Sequence, residues 1–286
     1  MNITLIYFSQ TGNTRRVAQA MAAALREAGH PTRIISLKKA TPQDAVNCDL
    51  LGIGTPCFSS QAPTPIKEFL EDLPPLDNHQ AFVFATSGAA PGRVLFDLTR
   101  LLKQKGAEVI GGFLARGKLS HPAPCLYGRF PNRPDPHDFD RARRFAVAAV
   151  EHVTSGRPGP MPESESRPDT FKPQSRFYDL VASLSTDGFL RLVLPEPRFN
   201  PSRCDQCRWC VFECPVSNIS MQPYPVLEDR CIRCYRCVSG CPQQAFDVDW
   251  RLGNLAILMF YNATFERWFG DLAPEEALYS ANTNGK

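Results

Sequence analysis

The chain is 286 residues long, 43% hydrophobic and 21% charged, which is the composition of a soluble globular protein with room for about two domains. No stretch approaches the roughly 18 consecutive apolar residues of a membrane helix, and a net charge of +3 argues against nucleic-acid binding through a basic surface. Eleven cysteines are many, and eight of them fall between positions 204 and 241. That crowding marks a metal site, because a disulfide framework spreads its pairs along a small secreted chain. Arg15 and Arg16 follow the apolar stretch 2–8, whereas an export signal puts its basic residues first, so the expected location is the cytoplasm.

Residues 1–153 alternate strand and helix. Residues 3–8 form an apolar run bounded by polar turn residues, which predicts a strand buried on both faces. A helix over 17–27 stops at Ala28-Gly29, and strands are predicted at 32–37 and 48–54. A helix over 64–73, a strand at 81–86, a helix over 92–105, a strand at 107–114 and a helix over 138–153 complete the unit. Such alternation requires a parallel sheet with helices on both faces, and five strands suit the doubly wound α/β order 2-1-3-4-5. Residues 154–173 are rich in Pro, Ser, Gly and Glu, as a linker would be, and 176–194 predict a helix plus a short strand, so 154–197 connect two modules. The second module covers 198–250. For the C-terminal extension, 251–286, the pattern predicts an amphipathic helix at 255–269.

The second module is an internal repeat. Cys204, Cys207, Cys210 and Cys214 recur 27 residues later as Cys231, Cys234, Cys237 and Cys241, and each set ends Cys-Pro. C-x2-C-x2-C-x3-C-P is the bacterial run for 4Fe–4S clusters, and two copies imply two cubanes. Three thiolates on one tight loop reach three corners of a cube, so the fourth ligand comes from elsewhere. Zinc favours paired C-x2-C motifs rather than triplets. Over about 50 residues the sequence resembles the bacterial two-cluster ferredoxins, in which each half lends its fourth cysteine to the other. That resemblance assigns Cys204, Cys207, Cys210 and Cys241 to one cluster and Cys231, Cys234, Cys237 and Cys214 to the second. The chain departs from the family in carrying Arg208, Trp209, Arg233, Tyr235 and Arg236 between ligands. Arginines there raise the cluster potentials, guide a partner, or are solvated surface charges.

Ser9, Gln10, Thr11, Gly12, Asn13 and Thr14 lie between the first strand and the first helix, where hydroxyls and amides meet the positive end of a helix dipole. The loop has neither the Walker A lysine nor a G-x-G-x-x-G fingerprint, so neither a nucleoside triphosphate nor a dinucleotide is expected. It resembles the FMN phosphate loop of flavodoxins, [ST]-x-T-G-x-T. In that family the loops after the third and fourth strands hold the isoalloxazine ring. Here those loops are Thr55, Pro56, Cys57, Phe58, Ser59 and Ser60, and Thr86, Ser87, Gly88, Ala89, Ala90, Pro91 and Gly92. The resemblance makes Phe58 the stacking aromatic and lets the small residues at 87–90 bring backbone amides to the pyrimidine edge. Flavodoxins usually present Trp or Tyr in these loops, and this chain has neither.

As a whole the chain resembles the flavodoxin–ferredoxin fusion proteins, common in anaerobic bacteria and archaea. The segment Gly128-Arg129-Phe130-Pro131-Asn132-Arg133-Pro134 shares in that resemblance. It implies FMN and two 4Fe–4S clusters as cofactors and electron transfer to a partner redox protein, with no residue assigned a catalytic role. A reductase acting on an organic substrate at the flavin is the alternative. Cys48, Cys57 and Cys125 are expected as small buried hydrophobes, and His121 as a surface or capping residue. Residues 1–153 carry 18 Lys/Arg against 13 Asp/Glu and the remainder 14 against 16, an asymmetry suited to steering a docking partner.

Overall fold

A computed structural model describes residues 1–88, 91–161 and 176–257. Among the described residues the chain folds as two compact units, one built from Met1–Lys118 and Phe130–Ser183, the other from Leu119–Arg129 and 184–257. Among the described residues no helix is long and apolar enough to cross a membrane.

In the first unit, strands β1 (Ile3–Tyr7), β2 (Thr32–Ser36), β3 (Leu50–Pro56), β4 (Gln80–Ser87) and β5 (Glu108–Arg116) pair in parallel in the order β2-β1-β3-β4-β5. This is the expected doubly wound sheet. Side chains alternate across it. Ile3 and Leu5 of β1 pack on one face with α1 (Asn13–Glu27) and α5 (Pro136–Thr154), while Ile6 packs on the other with α3 (Thr64–Glu71) and α4 (Val94–Gln104).

Helix α1 buries Val17, Ala18, Met21, Ala22 and Leu25, a stripe at helical spacing. It ends as expected at Gly29, where the His30 amide bonds back to the Leu25 carbonyl at 3.0 Å. Its start is four residues earlier than the apolar pattern predicts, because the first turn is polar and is fixed by the loop before it. Helix α2 (Pro42–Val46) has no counterpart in the sequence reading. At five residues it carries no periodicity and is held by a Thr41–Asp44 capping box with Pro42 at its first turn. Residues 176–194 form two helices, α6 (Arg176–Leu184) and α7 (Asp187–Val193), instead of a helix and a strand. The correction has a local cause: Thr186 caps α7, its hydroxyl accepting the Phe189 amide at 3.3 Å. In the first unit α6 is anchored by an Arg93–Asp179 ion pair at 2.8 Å and by the Gln61 side chain donating to the Ala182 carbonyl.

Among the described residues the second unit contains two small antiparallel pairs. Strand β6 (Arg198–Phe199) pairs with β9 (Phe246–Asp247), and β7 (Ile219–Met221) with β8 (Pro225–Leu227). Helices α8 (Trp209–Glu213) and α9 (Arg236–Gly240) are single turns within the two cysteine motifs. Cys210, Ile219 and Phe246 form one core. Ala123, Leu126 and Ile257 form another, joined by α10 (Trp250–Ile257) through Trp250.

Candidate cofactor sites

The cysteine loops obey the 27-residue repeat in their backbone as well as their sequence. Gln206 and Arg233, Arg208 and Tyr235, Ser217 and Gln244 are three repeat-related pairs, and all six residues have φ between 50° and 62°. None is glycine, so each carries a conformational cost that the loop must override. Alternation of left- and right-handed residues turns successive N–H groups inward and makes an anion-binding concavity. Three of those amides reach sulfur: Gln206 to Cys204 Sγ at 3.3 Å, Asn218 to Cys214 Sγ at 3.2 Å and Ala245 to Cys241 Sγ at 3.3 Å.

The structure brings the thiols together in crossed sets. Cys214 lines a cavity with Cys231, Cys234 and Cys237. Burial pushes the Cys237 thiol well up, and the neighbouring Cys234, Cys231 and Cys214 push it further. Cys241 lies instead with the first motif: burial raises the Cys210 thiol, and Cys241 and Cys204 add to it. At Cys207 a bond from the Trp209 amide pulls the pKa down, but Asp205, desolvation and Cys241 together raise it overall. Two sets of four soft sulfur donors, each backed by inward amides, suit two cubanes.

The residues between the ligands are not equivalent. Arg233 is only 8% exposed, with Nη1 on Glu196 Oε1 at 3.1 Å and a buried Nε that lacks a partner. It is no solvated surface charge. Arg236 pairs with Glu213 at 3.1 Å and lies 4.8 Å over the Trp209 ring. Arg208 is exposed, 5.9 Å from the Phe212 ring. Tyr235 is buried, its hydroxyl donating to the Pro195 carbonyl at 2.7 Å.

His121 packs edge-on against Tyr235 and Trp250, ring centroids 5.1 and 5.4 Å away. It caps locally as expected, Nδ1 accepting the Ala123 amide at 3.2 Å, and it is half-buried, with desolvation pushing its pKa down to about 4. The sequence hides this because the partners lie more than 100 residues downstream. Among the other cysteines, Cys48 is buried as expected, while Cys57 and Cys125 are partly buried.

In the first unit the loop 9–14 leaves β1 and enters α1 through Gly12, whose φ of 92° places it in the left-handed region. Ser9 Oγ accepts the Gly12 amide at 3.2 Å, which leaves its own proton to donate. Thr11 is exposed, and the buried Gln10 Nε2 has no hydrogen-bond partner. The first turn of α1 contains no acidic residue, and the amides of Asn13, Thr14 and Arg15 have no upstream helical carbonyl to bond. Asn13 ties the loop to the end of β5, Nδ2 donating to the Lys118 carbonyl at 2.9 Å. Thr14 is 1% exposed, and its Oγ1 lies 2.9 Å from Thr86 Oγ1. That hydroxyl therefore joins two loops.

The other two loops leave adjacent strands beside the β1/β3 reversal. Thr55 is buried and Pro56 half-buried, and the Cys57 amide donates to the Thr86 carbonyl at 2.8 Å. Burial pushes the Cys57 thiol up to about 12, so it stays protonated. Phe58 and Gln61 exchange both backbone bonds at 2.9 Å around Ser59 and Ser60, each at positive φ, the geometry of a tight primed turn. Phe58 packs edge-on to Phe8, 6.1 Å between centroids. Ser87 accepts the Gly117 amide at 2.9 Å, and Gly88 is half-buried. Gly92 backs onto Ser60, where a side chain would come within 2.2 Å of the carbonyl oxygen. Ala89 lies outside the described residues. An orphaned buried amide, available hydroxyls and a helix N-terminus without opposing carboxylates suit a phosphate-bearing cofactor.

Comparison with known proteins gives the same division. The flavodoxin domain model matches residues 4–152, and a 4Fe–4S dicluster domain model matches 196–242. The flavodoxin of Megasphaera elsdenii is 26% identical over 112 residues, 38% of this chain and 82% of that protein. Among solved structures, an archaeal flavodoxin is similar at 16% identity (TM-score 0.44; 54% of this chain and 99% of that one), as is flavodoxin 1 of Bacillus cereus at 17% (TM-score 0.43; 53% and 99%). FMN and 4Fe–4S clusters are the cofactors these two domains imply, and electron transfer is the role they share. The chain belongs to the flavodoxin domain family and carries a 4Fe–4S dicluster domain on the same polypeptide, in the manner of a flavodoxin–ferredoxin fusion.

Proposed function

We propose that this protein relays low-potential electrons between FMN and two 4Fe–4S clusters and passes them to a partner redox enzyme in the cytoplasm. The observation that supports it best is the crossed placement of Cys214 and Cys241, each beside the other motif's three cysteines. When bound, FMN exchanges electrons in pairs or singly and each cubane exchanges one, which lets one chain join two-electron and one-electron partners. The residues of the chain bind and position. Ser9, Gln10, Thr11, Gly12 and Asn13 hold the phosphate with the first turn of α1, and Thr14 braces that loop on Thr86. Residues 55–59, 86–88 and Gly92 frame the ring, and the sequence reading adds Ala89. Cys204, Cys207, Cys210 and Cys241 hold one cluster, and Cys231, Cys234, Cys237 and Cys214 the other. Carrying both domains on one chain replaces a diffusional encounter with a high effective concentration.

The test is rapid mixing of the anaerobic, fully loaded chain with a limiting one-electron donor such as reduced methyl viologen. Electron exchange between clusters and flavin should follow a rate independent of protein concentration. A flavin that stays oxidised while the clusters turn over with an acceptor would overturn the relay. Oxidation driven only by an added organic substrate would favour a reductase.

A further inference from the structure

The two cysteine motifs invite a comparison position by position, and one interior difference stands out. Four residues after the last cysteine of each motif, the first half has Asn218 and the second has Ala245. Both residues are buried, and both amides donate to the cysteine sulfur four residues back, at 3.2 and 3.3 Å. The Asn218 carbonyl also accepts the Glu228 amide at 2.9 Å. The backbone slot is thus the same in both halves. Only the side chain differs, a carboxamide against a methyl group.

That carboxamide is costly where it stands. Asn218 is 2% exposed, and its Oδ1 is buried without a hydrogen-bond partner. Leaving such a group unmatched forfeits its hydration with nothing in return, so an unmatched one calls for an explanation. Its surroundings provide one. Asn218 lines the cavity that Cys214, Cys231, Cys234 and Cys237 surround, among apolar neighbours such as Ile219 and Leu227. Oxygen and nitrogen of a carboxamide exchange places by a half-turn about the last side-chain bond, so the donor end can be presented to whatever fills the cavity.

We propose that the Asn218 carboxamide donates an N–H to a sulfur of the second cluster and raises that cluster's reduction potential. The inference rests on reading those four cysteines as the ligands of one cluster. Reduction adds one negative charge to the cluster, and a donor held at its sulfur in a dry site stabilises the more negative state. The first cluster, with Ala245 at the equivalent position, receives no such bond. One side chain therefore separates the potentials of two sites with the same ligand set.

The experiment is an EPR-monitored redox titration of the full-length, anaerobically loaded protein and of Asn218→Ala and Asn218→Leu. One of the two potentials should fall in both variants, with the other unmoved and the iron content unchanged. Alanine empties the space and leucine fills it, so a packing effect would separate them and a lost donor would not. A readout that needs no variant is pulsed EPR of the reduced wild type grown with asparagine labelled with ¹⁵N in the carboxamide alone. A hyperfine coupling is expected, and Asn218→Ala should abolish it. Unchanged potentials in a fully loaded variant, equal shifts of both clusters, or no coupling in the wild type would each overturn the proposal. A wild type that binds no iron would fail the reading of the cysteine sets instead.

Discussion

The indole of Trp209 occupies the place where Gly240 would carry a side chain: a methyl group there would lie 1.9 Å from Cη2 of the ring. The 27-residue repeat maps Trp209 onto Arg236 and Gly240 onto Glu213. The mirrored contact is thus the Arg236–Glu213 ion pair, and Arg236 lies over Trp209 between the two. One approximate symmetry is satisfied on one side by an aromatic ring against backbone and on the other by opposite charges. Gly240→Ala should therefore destabilise the second unit by about 1–3 kcal/mol through overpacking and loosen the set completed by Cys241. In Trp209→Ala/Gly240→Ala the alanine at 240 should cost much less than it does alone. Denaturant unfolding of the four members of this cycle checks it, and strict additivity would refute the contact.

Thr14 and Thr86 supply a second cycle. Thr14→Val leaves the buried Thr86 hydroxyl without its 2.9 Å partner and should cost about 1–3 kcal/mol of stability. The double variant with Thr86→Val should recover most of that, since both polar groups are then gone. Thr11→Val, at an exposed position, should leave stability alone and weaken FMN binding by about 1–3 kcal/mol. Urea unfolding of the apoprotein and FMN titration separate the two effects.

The crossed cysteines make a prediction that sequence neighbourhood would not. Full loading is about eight iron per chain, and Cys214→Ala should leave about four. Adding Cys237→Ala should remove no more, whereas adding Cys210→Ala should remove the rest. Iron and sulfide analysis of anaerobic preparations decides it. An additive loss for Cys214 with Cys237 would mean that the sets are not crossed.

His121 sets a pH dependence. Its pKa is held near 4 in the folded chain against 6.5 as the reference, so the unfolded state binds the extra proton between those values. Its contribution is complete above about pH 7 and is lost as pH falls from 6.5 towards 4. By linkage the loss is roughly 2 kcal/mol by pH 5. Stability measured by denaturant at pH 7.5, 6 and 5 should show this slope, and His121→Phe should flatten it.

The parallel sheet is legible in the sequence because each strand is a short apolar run between helices, and the order follows from the number of strands and the handedness of crossovers. The cysteine sets are legible because ligand spacing is a local pattern. What escaped is long-range. Thr14 and Thr86 are 72 residues apart, and nothing near either hydroxyl announces the other. Asn218 stands out only when the two motifs are laid in register and their interior positions compared. The five-residue helix at Pro42 was hidden for the opposite reason, being too short to show a period.

The excursion Leu119–Arg129 bears on how the protein is made. The polypeptide leaves the first unit after Lys118, contributes eleven residues to the second, and rejoins the first at Phe130. On the ribosome those eleven residues emerge well before Trp250 and Ile257, against which His121, Ala123 and Leu126 pack. The first unit can close its sheet during synthesis, but this stretch must wait until Ile257 has been made. A gene cut at any single point between the domains would strand it.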